Sequence, residues 1–129
     1  MTIDLNLPAQ GNYVGGRWVD ASGRRDVFDV LNPADGERLR VGDADRRQNA
    51  GRADIAAAIG AAAAVRKDWA DTPAGERARI LRRAHDAMTD RTEELARLMT
   101  LEQGKPLAEA RAEVGYATSF LLWFAGEAE

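Results

Sequence analysis

The last quarter of the chain sets the strongest constraint on its fold. From Pro106 to about Ala128, apolar residues recur at helical spacing. Leu107, Ala110, Val114, Ala117, Leu121 and Phe124 follow three- and four-residue steps along one face. Tyr116, Phe120 and Trp123 form a second stripe at i, i+4 and i+7. A helix that is apolar nearly all round is normally buried on several sides. This one is expected to lay one stripe against an earlier helix and to turn the other toward solvent, a second copy of the chain, or a partner.

Three helical segments precede it. Ile55, Ile59, Ala62, Ala63 and Arg66 mark one face of a helix ending near Trp69. Thr72 before Pro73 reads as an N-cap followed by proline at the first helical position. Ile80, Leu81, Ala84 and Met88 line the helix that follows. Asp90 with Glu93 reads as a capping-box restart, the acid reaching back to the cap N–H. Leu95, Leu98 and Met99 continue the apolar stripe, and Glu93 with Arg97 makes a favourable i,i+4 pair. Gly104 is placed as a C-cap and Pro106 as the opening of the last helix.

The first third reads as short strands and turns. Tyr13-Val14, Gly15-Gly16 and Arg17-Trp18-Val19 give a two-residue hairpin, since glycine takes positive φ at both central positions. Ala21-Ser22-Gly23 makes the next break. Val27 to Leu31 is β-prone and ends in the turn Asn32-Pro33-Ala34-Asp35-Gly36. Leu39 and Val41 alternate with Arg38 and Arg40, as in a strand returning from that turn. Residues 42–52 are polar and aperiodic, and are expected to be a loop. The fold class is therefore α/β: an N-terminal β-hairpin and small sheet followed by several helices.

Few chemistries remain open. The 129 residues, 45% hydrophobic and 30% charged, suit one soluble domain with a sizeable core. A net charge of −3 offers no electrostatic reason to expect nucleic acid or an anionic membrane as partner. No apolar run is long enough to span a bilayer, and residues 1–10 do not resemble a signal peptide. The absence of cysteine removes disulfides, thiolate metal sites and cysteine nucleophiles, and fits a cytoplasmic location. His85 is the only histidine, so no His–His metal pair forms, and its place beside an apolar face suits a structural or solvated role. Ser22 and Ser119 lie in no nucleophile elbow. Glu93, Glu94, Glu109 and Glu113 read as solvated helix faces. No glycine-rich phosphate loop follows a strand, and Gly15-Gly16 and Gly104-Lys105-Pro106 serve better as turn and cap. Residue by residue, no catalytic, cofactor-binding or metal-ligating group stands out.

Several segments in register nevertheless resemble one family. The run from Tyr13 to Val19, the turn Asn32-Pro33-Ala34-Asp35-Gly36-Glu37, and Trp69 with Pro73, Glu76-Arg77-Ala78 and Ile80-Leu81 are similar to the opening of aldehyde dehydrogenases. The stretch from Leu101 to Ala110, with Tyr116, Ser119-Phe120 and Trp123-Phe124-Ala125, is most similar to the succinate-semialdehyde branch. Asp45 to Asn49 depart from the pattern as a few extra residues.

The resemblance implies an enzyme that oxidises an aldehyde, succinate semialdehyde being the first candidate, to the acid with NAD or NADP. Its cysteine nucleophile, its base glutamate and its dinucleotide loop all lie in parts of the family beyond these residues. It implies that residues 1–129 are the N-terminal part of such a domain, the start of its cofactor-binding region, inactive and without tight dinucleotide binding when alone. It also implies that Tyr116 and Phe120 border the substrate channel of an intact enzyme; the plain alternative is that both are core aromatics. Self-association, or association with the rest of the enzyme, is expected through the last helix. A stand-alone, non-catalytic interaction module docking through that helix is the competing reading.

Overall fold

The computed structural model describes residues 2–3, 12–19, 27–41, 47–48 and 50–129. The chain forms two compact units, Met1–Ala70 and Asp71–Glu129.

In the first unit, strand β1 (Thr2–Ile3) pairs in parallel with β5 (Arg40–Val41). Strands β2 (Asn12–Val14) and β3 (Arg17–Val19) form the expected hairpin, with Tyr13 opposite Trp18 and Asn12 opposite Val19. Gly15 and Gly16 have φ of 60° and 78°, the positive pair that a tight primed turn needs. The Tyr13 and Trp18 rings meet edge to face, with centroids 5.1 Å apart.

The turn after Leu31 is organised by Asn32, which is buried. Its Oδ1 accepts the Ala34 N–H at 3.0 Å, and its Nδ2 donates to Asp35 Oδ2 at 3.2 Å. Its carbonyl accepts the Gly36 N–H at 2.8 Å, and Gly36 takes a φ of 74°. The chain then returns. Leu31 bridges Arg38 antiparallel, and buried Leu39 donates its N–H to the Val30 carbonyl at 2.8 Å.

Two expectations change here. The strand expected over Val27 to Leu31 is only β4 (Val27–Phe28), and its partner is β6 (Arg47–Gln48), inside the segment expected to be a loop. Main-chain groups make this pairing, so the polar side chains of 47–48 carry no sign of it. The break at 21–23 and the extra residues 45, 46 and 49 lie outside the described residues.

Helix α1 (Arg52–Asp71) starts where Asp54 Oδ2 accepts the Gly51 N–H at 2.9 Å. The face expected to pack is not the packed one. Ile55 and Ile59 are 53% and 65% exposed, and α1 has no buried residue. Its small Asp54, Ala57 and Ala61 side meets the hairpin instead, where a Cβ on Gly15 would stand 3.6 Å from Ala61 Cβ. Alanine admits the approaching strands, whereas an isoleucine there would hold them off.

The second unit is a set of three helices, α2 (Ala74–Asp90), α3 (Thr92–Gln103) and α4 (Leu107–Glu127), with α4 against both others. Helix α2 begins one residue later than expected. Pro73 has an extended ψ of 141° and holds the capping position, its carbonyl accepting the Glu76 and Arg77 N–H groups.

The capping box at Asp90 does not form. Asp90 is the last residue of α2, the break falls at Arg91, and no side chain caps α3. Glu93 turns instead to Arg111 of α4, with bonds of 2.6 and 2.9 Å, and Arg91 grips Glu94 through two bonds of 2.6 and 2.7 Å. A forked guanidinium–carboxylate pair outcompetes a single bond to a main-chain N–H. Gly104 ends α3 as expected, with φ 73° and its N–H on the Thr100 carbonyl.

The core is built on alanine. Ala96, Ala110 and Val114 are buried, with Leu95, Met99 and Leu107 packed around them, and Ala78 and Ala125 are also buried. Small side chains let helix axes approach closely. Along α4 the packed face follows Ala110, Val114, Thr118 and Ala125. The expected face departs from it after Val114, since Ala117 and Phe124 are exposed. At about 100° per residue, steps to 118 and 125 stay on the Leu107 line, whereas 117 and 124 drift a quarter turn away.

Candidate functional site

The outer face of α4 is where side chains of functional interest gather. Tyr116 and Phe120 lie one helical turn apart and meet edge to face, with centroids 4.8 Å apart. They are 66% and 45% exposed, and Trp123 at 66%, Phe124 at 55% and Leu122 at 50% extend the apolar surface. Tyr116 and Phe120 are thus side by side and outside the unit's own core. The second stripe read from the sequence is an exposed one. Leu122 and Phe124, which the sequence placed in no outward stripe, belong to this surface because the packed arc is narrower than the apolar one.

A concave feature lies between the hairpin and α1, a cavity of about 390 Å³ lined by Asn12, Val14, Arg17, Val19, Asp54 and alanines of α1. Alternation along the strands could have indicated it. Asn12, Val14, Arg17 and Val19 share the face opposite Tyr13 and Trp18, since cross-strand partners project to the same side. Asn12 Nδ2 is buried and unpaired among the described residues.

Several ionisable groups of the helices pair with one another. Arg111 donates to Glu93 and holds its carboxyl below the usual carboxylate range. Arg82 does the same to Glu129 across a 2.7 Å bond. Lys105 pairs with Glu113. His85, partly exposed, lies 2.9 Å from the Asp86 carboxylate. Among the described residues no three His, Asp or Glu side chains converge as a metal site would require. None of the helices in them is long and apolar enough to cross a membrane.

The helix starts among the described residues are acidic, which weighs against their seating a dinucleotide. Its pyrophosphate needs free N–H groups at a helix start, with no competing negative charge. Each helix here opens on an acid: Asp54 in α1, Glu76 in α2, Glu93 and Glu94 in α3, and Glu109 in α4. At α1 the Gly51 N–H already bonds the Asp54 carboxylate. Helices α2 and α4 are preceded by prolines, which have no N–H to offer.

The β-hairpin, the Asn-Pro turn and the alanine-cored helices match a known architecture. The aldehyde dehydrogenase family model matches residues 18–129, and the chain belongs to that family. Within it, the chain is similar to the NADP(+) succinate-semialdehyde dehydrogenase of Escherichia coli, 45% identical over 124 residues that make 96% of this chain and 24% of that protein. It is 46% identical over 126 residues to the glutarate-semialdehyde dehydrogenase of Pseudomonas aeruginosa, covering 98% of this chain and 25% of that one. Succinate-semialdehyde dehydrogenase from Burkholderia pseudomallei has the same fold over 94% of this chain and 24% of its own, with a TM-score of 0.82 and 44% identity. The chain spans about a quarter of the length of the curated relatives it matches.

Proposed function

We propose that these residues serve as the N-terminal part of an NAD(P)-dependent aldehyde dehydrogenase acting on a short semialdehyde, succinate semialdehyde being the first candidate. Both units belong to that one enzyme domain, which works in the cytoplasm. The observation that carries the reading is the in-register identity of 45–46% to two semialdehyde dehydrogenases over nearly all of this chain. Residues 1–129 contribute scaffold rather than chemistry. Oxidation of an aldehyde by this family's route needs a thiolate, and the chain has no cysteine. The nucleophile, the base and the dinucleotide site come from the remaining three quarters of the enzyme. Tyr116 and Phe120 would then form part of the wall along which the aldehyde approaches, their paired rings offering an apolar, rigid surface.

The test is a chimera in which residues 1–129 replace the matching quarter of the E. coli relative. It is expected to reduce NADP with succinate semialdehyde, and Phe120→Ala in it to raise KM more than it lowers kcat. A folded chimera with no activity on any semialdehyde sinks the proposal. The exposed face of α4 also supports the competing reading, a non-catalytic interaction module, which that inactive result would favour.

A further inference from the structure

We propose that the cavity between the hairpin and α1 is a binding site for a short aliphatic monocarboxylate. The cavity lies wholly within the first unit, and its volume of about 390 Å³ suits a small organic ligand. Three features select the ligand: a donor without an acceptor, a cation beside it, and an acid that leaves room for only one negative charge.

The walls follow from the local structure. Asn12, Val14, Arg17 and Val19 share one face of the hairpin, with Asn12 across from Val19 and Val14 across from Arg17. Asn12 and Arg17 therefore hold one diagonal of that face, roughly 7–8 Å apart, and the two valines hold the other. Opposite them, α1 presents Asp54, Ala57 and Ala61, which follow one another at helical spacing. Space remains because methyl groups stand where longer side chains would reach the hairpin.

The polar groups ask for an anion. Asn12 Nδ2 is buried and has no acceptor among the described residues. A buried donor left in that state is unfavourable, and a ligand oxygen relieves it. Arg17 lines the same cavity with a permanent charge and a fork of donors, which suits a carboxylate better than a neutral carbonyl. Asp54 faces the cavity as well, and its Oδ2 accepts the Gly51 N–H at 2.9 Å. Its negative charge opposes a second anionic group, so a dicarboxylate or a phosphate fits worse than a single carboxylate. Val14, Val19, Ala57 and Ala61 supply the apolar remainder, which takes an alkyl chain.

The experiment is an NMR titration of the 129-residue chain with sodium butyrate, followed at the Asn12 side-chain amide and the Gly15 main-chain amide. Saturable shifts at both are expected, with a Kd of about 1 mM or tighter. Butyramide, which keeps the shape and loses the charge, is expected to bind about tenfold more weakly, and so is succinate. Arg17→Gln is expected to weaken butyrate about tenfold and to erase its advantage over butyramide. Arg17 is exposed, so this variant keeps its fold. Asn12→Leu is expected to abolish binding without lowering the thermal midpoint, because it removes an unpaired buried donor. Three results overturn the proposal: no saturable shift with butyrate, the same shifts with sodium chloride, or butyramide or succinate binding as tightly as butyrate. Undiminished butyrate affinity in Arg17→Gln overturns it too, whatever the Asn12 variant does.

Discussion

At the scale of single residues, the backbone dictates the glycines and paired charges dictate the exposed helix faces. Gly104 has a φ of 73° and its N–H closes α3 on the Thr100 carbonyl. A side chain there meets the left-handed penalty, so Gly104→Ala is expected to destabilise the helical unit by about 1 kcal/mol in a urea titration. Glu93, Glu94 and Glu129 have lowered pKa values, held first by bonds from Arg111, Arg91 and Arg82. A depressed carboxylate stabilises the fold above its unfolded pKa, about 4.3, and that stability is lost as pH falls through the folded value. Unfolding midpoints are therefore expected to drop below about pH 4.5, and Glu93→Gln to flatten that slope. These pairs are solvent-exposed, so high salt is expected to weaken the effect; a slope indifferent to salt would point elsewhere. The turn glycines were legible because few other residues tolerate positive φ. The partner of Glu93 was not, because 18 residues separate it from Arg111 and only the packing of α3 on α4 brings them together.

At the scale of elements, sequence periodicity located the four helices found among the described residues and misplaced two of their faces. On α4 the apolar pattern is wider than the packed arc, and the sequence pattern put Ala117 inward where Thr118 is the buried residue. The structure selects Thr118, which is 6% exposed and satisfies its hydroxyl on the Gly115 carbonyl at 3.0 Å. A polar residue that supplies its own hydrogen bond is cheap to bury, and hydrophobicity alone cannot reveal it. On α1 the alanine side meets the hairpin while the isoleucines remain outside, a choice made by volume rather than by apolarity. A paired substitution separates the two faces of α4. Ala110→Leu adds bulk where no space remains and is expected to cost about 1–3 kcal/mol, whereas Ala117→Leu on the exposed side is expected to stay within about 0.5 kcal/mol of the parent. Equal effects in chemical denaturation would place the packed face where the sequence pattern alone put it. The short strands were the least legible elements: β6 pairs through main-chain groups of Arg47 and Gln48, residues with no strand pattern.

At the scale of the whole molecule, the family was legible from motif order, whereas the cysteine that the family's chemistry uses is not among these residues. Two requirements of aldehyde oxidation can be tested on the 129-residue chain directly. The first is a nucleophile. With no cysteine, the chain has no thiolate to attack an aldehyde. Purified chain incubated with succinate semialdehyde and either dinucleotide is expected to produce no NADH or NADPH above a blank. Sustained turnover that follows the chain through purification would reject that. The second requirement is a seat for the dinucleotide. A pyrophosphate carries negative charge, and a helix start attracts it through free N–H groups worth about 1 kcal/mol of dipole interaction. In this chain Asp54, Glu76, Glu93, Glu94 and Glu109 occupy those first turns and oppose it. Calorimetry is therefore expected to find no binding of NAD or NADP tighter than the millimolar range, about −4 kcal/mol. Asp54→Asn offers a sharper check, since it removes the charge at α1 while keeping an oxygen to accept the Gly51 N–H. If acidic helix starts are what exclude the cofactor, this variant is expected to gain weak, salt-sensitive affinity for inorganic pyrophosphate. If it gains none, charge is not the obstacle, and the missing element is the glycine-rich turn that would bring several N–H groups onto one phosphate.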